Sequence, residues 1–412
     1  MDNNLLAKYA KLTVCKGANV QKGQYVVIKA PYFAAEFARM CALEAYKREA
    51  SYVECNFFDE QLTRLHYKYA SEDELKNLPQ WQYDKSKYAI DKGCCYIYIT
   101  SPIPDVFNDV DAKLLADVNL AVNQKMKPLQ YYTTNSVGQW TIVAYPNVKW
   151  AKKLFSDLDE NDANEKLLKA ILQAVRVDED NDPNILWDKH DKDLLDHCRK
   201  LNEYNFESLH FVNDLGTDLY VGLVRDHIWA GGMEITTDGR KISFNPNMPT
   251  EEVFTMPDRN RVNGKVVATK PLCHNGKVFS DFSFVFKDGL IVDFDAKTEK
   301  EYLRQVLDMD EGTRHIGEVA LISYDSPISN QNILYYNTLF DENASCHLAL
   351  GACYPSNIKN GDLMDDEQLL ACGGNISINH IDFMFGSKDM NVYGKTYSGE
   401  EIQIFKCGNF CI

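Results

Sequence analysis

The sequence predicts an α/β plus α+β protein: an N-terminal α/β layered domain on a parallel sheet, followed by a C-terminal mixed, β-rich domain. Three observations predict it. Residues 25–58 read as strand–helix–strand, and residues 151–205 are leucine-periodic and densely charged with little β signal. From about residue 206 the pattern changes to short alternating runs separated by turn signals.

Taken in order, "YVVIKAP" (25–31) is an apolar strand and "SYVECNFF" (51–58) a second one. Between them, residues 34–50 place Ala34, Phe37, Ala38, Cys41, Leu43 and Ala45 along one broad helical face. Two further near-continuous runs, "CCYIYITS" and "QWTIVAYP", complete the series. Strands apolar on both faces belong to parallel sheets covered by helices. No G-x-G-x-x-G and no G-x-x-x-x-G-K-[ST] follows any of these strands, so the domain reads as a scaffold rather than a nucleotide site.

Residues 151–205 form a helical connection. There His190 and His197, among Asp188, Asp191, Asp193 and Asp196, read as the solvated face of an amphipathic helix. Beyond it, "SLHFVND", "DLYVGL", "KVVATKPL" and "SDFSFVFKDGLIVDFDA", with Asp-Gly at 238–239 and 288–289, predict a mainly antiparallel region. The expected domains are therefore 1–205 and 206–412, and no internal repeat disturbs this division.

At 412 residues and 45% apolar, the chain can bury cores for two or three domains. Its net charge of −16 is scattered along the chain, a surface that repels phosphate backbones and anionic lipid. Nucleic acid and membranes are accordingly not expected as partners. "MDNNLLAKYAKLTV" lacks a basic segment followed by an apolar one, so the expectation is a cytoplasmic protein with nothing removed. The twelve cysteines then read as reduced thiols. Neither Cys94-Cys95 nor Cys407-x-x-x-Cys411 has a zinc-finger spacing.

Hydrolytic metal centres use carboxylates and imidazoles, and paired ions need carboxylates that can bridge them. Four places offer such groups in apolar surroundings. In "NMPTEEVFTMPD", Glu251 and Glu252 are neighbours on an extended segment, so one of the two is expected to point inward. In "RHIGEVALISY", Glu318 precedes a strand-like "VALI", where an uncompensated carboxylate would cost several kcal/mol. "LYYNTLFDENASCHLALG" (334–351) sets Asp341, Glu342, Asn343 and His347 between apolar flanks, and "NISINHIDFMFGS" offers His380 and Asp382 at i, i+2, on one face of a strand.

"PTEEVFT", "GEVALI", "NTLFDENASCHLALG" and "HIDFMFGS" resemble signatures of the aminopeptidase T and aminopeptidase S family, the dinuclear metal-dependent aminopeptidases of bacteria. The resemblance covers nearly the whole chain, including "WTIVAYPNVKWAKKLF" and "HIWAGG". It implies an exopeptidase acting on peptides with a free N-terminus, working as a homodimer whose active sites open into an internal cavity. It also implies that the C-terminal domain is the catalytic one and holds two divalent ions per chain.

Residue by residue, the resemblance makes Glu252, Glu318, His347, His380 and Asp382 metal ligands, with Glu318 bridging. Glu342 becomes a further ligand or the general base, and Tyr354 of "GACYPSN" a phenol beside the metals that can donate to an oxyanion. Carboxylate and imidazole without thiolate suit Zn²⁺ or Co²⁺, and also Mn²⁺ or Mg²⁺. Two other readings remain: a thiol hydrolase with Cys346 as nucleophile, and a non-catalytic peptide-binding protein whose acids grip amines.

Overall fold

The computed structural model describes residues 3–274 and 277–412. Its contacts divide the chain into two units: the residues up to Asp188 with Met233–Met248, and Lys189–Gly232 with Pro249–Ile412.

The first unit is built on a parallel sheet. Its strands are β1 (Tyr25–Pro31), β2 (Tyr52–Phe58), β3 (Cys95–Thr100) and β4 (Trp140–Ala144), joined at the β4 edge by Asn247–Met248. In space the order is Asn247–Met248, β4, β3, β1, β2. Helix α1 (Ala35–Lys47) connects β1 to β2 and buries Phe37, Ala38, Cys41 and Ala45. Leu43, expected on the same face, is 56% exposed. At about 100° per residue it falls on the opposite side of the helix from Ala45.

The region expected to be helical contains Val148–Leu154, Glu160–Ala174 and Pro183–Tyr204. The expectation that His190 and His197 lie on a solvated face is overturned. His190 is half-buried and its Nε2 donates to the Thr250 carbonyl at 2.7 Å, while His197 stacks on Phe410 with ring centroids 4.0 Å apart. Both neighbours come from distant sequence, which helical periodicity does not report.

The second unit holds an eight-stranded antiparallel sheet and a separate five-stranded one. The smaller sheet comprises β5 (Ala230–Gly231), β6 (Val253–Thr255), β7 (Ile316–Leu321), β8 (His347–Gly351) and β9 (His380–Met384), in spatial order β9-β8-β7-β6-β5. One of its faces is apolar: Val319, Leu321, Leu348, Leu350, Ile381 and Phe383 join the hydrophobic core of the unit. Because side chains alternate along a strand, the residues between them must share the opposite face. These are Glu318 and Ala320 on β7, His347, Ala349 and Gly351 on β8, and His380, Asp382 and Met384 on β9. No helix among the described residues is long and apolar enough to cross a membrane. No described cysteine is in a disulfide.

The β7–β8 register shifts between Ile316 and Glu318, so Gly317 forms a bulge just before the glutamate. A Cβ on Gly317 would lie 2.3 Å from the carbonyl oxygens of both Gly351 and Ala352. Backbone atoms cannot swing aside as a side-chain tip can. Gly317→Ala is therefore expected to destabilise the fold by about 1–3 kcal/mol, the usual range for overpacking. The urea midpoint measures it, and an unchanged midpoint would show that the strand yields here without cost.

Candidate metal centre

Cross-strand pairing sets the site. Glu318 stands opposite Ala349, and Ala349 opposite Asp382, so one row across three strands reads acid, alanine, acid. The alanine contributes only a methyl, which leaves room above it for the longer side chains on either side. His347 lies two residues to one side of Ala349, opposite Ala320, and His380 pairs with Gly351 on the other side. The sheet thus presents a floor of small residues under two carboxylates and two imidazoles.

The side chains converge over this floor. Glu318 Oε1 is 3.4 Å from His347 Nε2, while its Oε2 is 3.4 Å from His380 Nε2. His347 Nε2 also lies 3.3 Å from Glu252 Oε2, and His380 Nε2 lies 3.4 Å from Asp382 Oδ1. Two donor groups result, Glu252–Glu318–His347 and Glu318–His380–Asp382, each with ligand atoms within 4.8 Å of one another. Glu318 is common to both, with one oxygen toward each.

The imidazoles are oriented by their other nitrogens. His347 Nδ1 donates to the Glu342 carbonyl at 2.9 Å and His380 Nδ1 to the Ala352 carbonyl at 2.8 Å. A carbonyl can only accept, so Nδ1 carries a proton, and Nε2, the nitrogen turned to the carboxylates, is the one whose proton a cation would replace.

Burial and charge drive the titrations apart. Burial alone would push the Glu318 carboxyl up, but hydrogen bonds and charge from His347 and His380 outweigh it and hold the group at about 2. Burial pushes Glu252 up, partly offset by His347. Glu342 is pushed well above the ordinary carboxylate range by burial and then by Asp382 and Glu252. Both histidines move well up despite burial, His347 through Glu252 and Glu318, His380 through Asp382 and Glu318. Four acids and two imidazoles crowd one volume. The donor chemistry, the shared carboxylate and the fixed tautomers together fit a pair of divalent cations.

The remaining residues of interest fall around this set. Glu342 lies in neither donor group, and its Oε1 accepts from Asn343 Nδ2 at 3.4 Å. Tyr354 follows β8, with its ring 4.7 Å from that of His380 and 5.9 Å from Phe254. The residue is 41% exposed, but burial around the hydroxyl, and then the charges of Glu318, Asp382, Glu342 and Glu252, push the phenol well above its ordinary range.

Cys346 is buried on the core side of the sheet, its Sγ 3.4 Å from the Ile322 N–H, and burial pushes its thiol up to about 11. A nucleophile needs an accessible thiolate, so the thiol-hydrolase reading fails. The expectation that only one of Glu251 and Glu252 points inward also fails, since both are 8% exposed. Glu252 faces His347, and Glu251 lies 3.8 Å from His190 on the other side. Alternation predicts one wet face only for a segment with one side in solvent, and this one is covered on both.

Three contributors were given no separate role by the sequence, although Asp341 and Asn343 stand in the polar run it singles out. Asn343, fully buried, accepts from the Glu251 N–H at 2.8 Å and donates to the Leu339 carbonyl at 3.1 Å, tying the segment that carries Glu252 to the turn that carries Glu342. Asp341 accepts from the Tyr335 and Asn337 N–H groups at 2.7 and 2.9 Å, so it shapes the turn rather than joining the donor groups. Lys270 is a largely buried lysine whose pKa is lowered by burial and partly restored by Asp341. Only their position inside a polar run hinted at the first two, and nothing at Lys270.

Comparison with known proteins gives three concordant results. Residues 2–410 match the family described as thermophilic metalloprotease (M29). The chain is 40% identical to aminopeptidase AmpS of Bacillus subtilis over 98% of both chains, and 40% identical to aminopeptidase 2 of Geobacillus stearothermophilus over 98% of this chain and 97% of the other. Among solved structures, wild-type AmpT from Thermus thermophilus superposes with a TM-score of 0.93 at 34% identity, covering 100% of each chain.

If Glu318 is the carboxylate shared by two cations, Glu318→Gln, which keeps the shape and removes the charge, should lose bound metal. Elemental analysis of protein purified without chelator is expected to show most of the divalent metal gone while circular dichroism stays that of the parent. Undiminished metal stoichiometry would count against the shared role.

Proposed function

The chain belongs to the thermophilic metalloprotease (M29) family, and on that premise we propose that it is a metal-dependent aminopeptidase removing residues one at a time from the free N-terminus of peptides. The observation that carries the reading is the pair of donor groups sharing Glu318, each imidazole turned into place by a backbone carbonyl. Glu252 and His347 would hold one cation, His380 and Asp382 the other, with Glu318 between them. Zn²⁺ or Co²⁺ suits these ligands best, and Mn²⁺ or Mg²⁺ is the alternative. Bound there, divalent cations supply Lewis acidity toward a carbonyl oxygen and acidify water.

The chain's own residues do the rest. Glu342, a half-buried carboxylate that feels the charges of both donor groups but belongs to neither, takes the proton of the attacking water and returns it to the leaving amine. The Tyr354 hydroxyl donates to the oxygen on which negative charge develops. The excess of carboxylates neutralises the substrate's ammonium group and makes a blocked terminus a poor ligand. All these residues lie beyond 206, which supports a C-terminal catalytic region and an N-terminal scaffold. A homodimer acting in the cytoplasm completes the proposal, supported by the family resemblance.

Tyr354→Phe removes one hydroxyl and little volume. Losing an oxyanion donor is expected to lower kcat by about 10²–10³, or about 2.7–4 kcal/mol, with KM and metal content near the parent values. A parent-like kcat would remove Tyr354 from the chemistry.

Substrate polarity is checked with a short peptide and its N-acetylated twin on metal-loaded protein. Stepwise shortening of the free peptide alone, abolished by chelator and restored by Zn²⁺ or Co²⁺, is the expected result. Equal cleavage of both peptides, internal cuts, or full activity after prolonged chelation would each overturn the reading; a metal-free protein that binds peptides without cutting them would be the non-catalytic binder.

A further inference from the structure

The parallel sheet of the first unit reverses its winding between β1 and β3: the chain leaves β1 for β2 on one side and returns to β3 on the other. In open sheets of this kind, ligands bind by the carboxyl ends of the strands at that reversal. We propose that Lys29 and Tyr98, paired across it, form a site for a small monocarboxylate with an aromatic body. The proposal goes beyond the aminopeptidase reading and does not depend on it.

The two residues are register partners, and each stands third from the carboxyl end of its strand. On β1 the alternate residues Val26, Ile28 and Ala30 are buried on one face. The opposite face therefore carries Tyr25, Val27 and Lys29, and pairing adds Glu54 and Asn56 from β2 and Tyr96 and Tyr98 from β3. A row of amide, ammonium and phenol, Asn56–Lys29–Tyr98, thus crosses three strands, and all three residues are half-buried.

On this face the Lys29 ammonium is short of negative charge. Its Nζ lies 5.2 Å from the centroids of both the Tyr96 and the Tyr98 rings, whose faces attract a cation without neutralising it. Glu54 is committed elsewhere: its Oε1 is 2.8 Å from Lys85 Nζ, and its Oε2 accepts from the Tyr25 hydroxyl at 2.8 Å. Among the described residues, Lys29 Nζ has no carboxylate partner and the Tyr98 hydroxyl has no acceptor. Burial accordingly pulls the Lys29 ammonium below the usual lysine range, with Cys94 and Glu54 offsetting it in part. Two donors stand on one row with one positive charge to meet, and a carboxylate answers both.

The surroundings choose the class of anion. Phosphate sites are lined by successive backbone N–H groups. Here β1 closes on Pro31, and β3 is followed by Ser101-Pro102-Ile103-Pro104, where the prolines have no N–H and that of Ile103 donates to Glu60 at 2.8 Å. One uncompensated ammonium also matches a single negative charge better than a phosphate dianion. The Tyr96 and Tyr98 rings, 5.6 Å apart and inclined at 19°, supply an aromatic surface for a flat body.

Calorimetric titration of the full-length, metal-loaded protein with benzoate, its uncharged twin benzamide, acetate and inorganic phosphate tests the site. Benzoate is expected to bind tightest. In Lys29→Met its binding should weaken about 30-fold or more, as when one partner of a buried charge pair is removed. Tyr98→Phe removes a single oxygen, so it keeps the test open should the methionine variant not fold; it should weaken benzoate about 10-fold, the loss of one hydrogen bond to a charged group. Metal content at the parent level in both variants separates this site from the metal centre. Benzoate binding that is absent, or unchanged in either variant, would overturn the proposal, as would benzamide, acetate or phosphate binding as tightly as benzoate.

Discussion

The shared engagement of Glu318 by two imidazoles is the interaction on which the site depends. A carboxylate that is 4% exposed is costly unless its charge is met, and each of its oxygens has its own partner, His347 on one side and His380 on the other. That demand fixes much else. The partners must come from different strands, the residue between the strands must be small, and the reverse face must anchor the sheet. Ala349 meets the second condition, and Leu348, Leu350, Ile381 and Phe383 the third.

Precision then comes from neighbours that touch no cation. Backbone carbonyls of Glu342 and Ala352 set the ring orientations, and the Asn343 amide ties the segment before β6 to the turn before β8. The Asn343 bonds are buried and the imidazole bonds partly so, in surroundings where an unsatisfied polar group is expensive. A carboxylate set of this density resists assembly because its members repel. The hydrogen bonds of Asn343 and of the two imidazoles lie in the same turns as the ligands and hold them against that repulsion.

How much of this was legible follows from period and context. The parallel strands at 25–31, 95–100 and 140–144 were legible because apolar runs buried on both faces carry their own signature, while 52–58 has its apolar residues at an exposed sheet edge. The His380–Asp382 pair on one strand face was legible for a similar reason, since a period of two puts i and i+2 together whatever lies nearby. Glu251 and His190 were not, because what buries them comes from elsewhere in the chain. Leu43 shows a smaller failure of the same kind: an apolar residue in a helical stretch counted toward a face its angle does not reach. The pairing of Asn247–Met248 with β4 joins segments a hundred residues apart, and a two-residue strand leaves no periodic trace.

Two kinds of buried acid stand within a few residues here, and their donors tell them apart. Asp341 is met by backbone N–H groups, fixed dipoles that belong to the fold and cannot be exchanged for a ligand. Burial still pushes it up to about 6, the mark of a carboxylate held for structure at some cost. Glu318 and Glu252 are met by imidazole nitrogens, whose proton a cation can displace, and Glu342 is crowded by other acids that a cation would neutralise. A buried acid satisfied by the backbone holds the fold, whereas one satisfied only by titratable side chains is arranged for charge that arrives from outside. By that criterion the polar run 341–347 divides in two: Asp341 and Asn343 build the turn, and Glu342 and His347 stand with the donor groups.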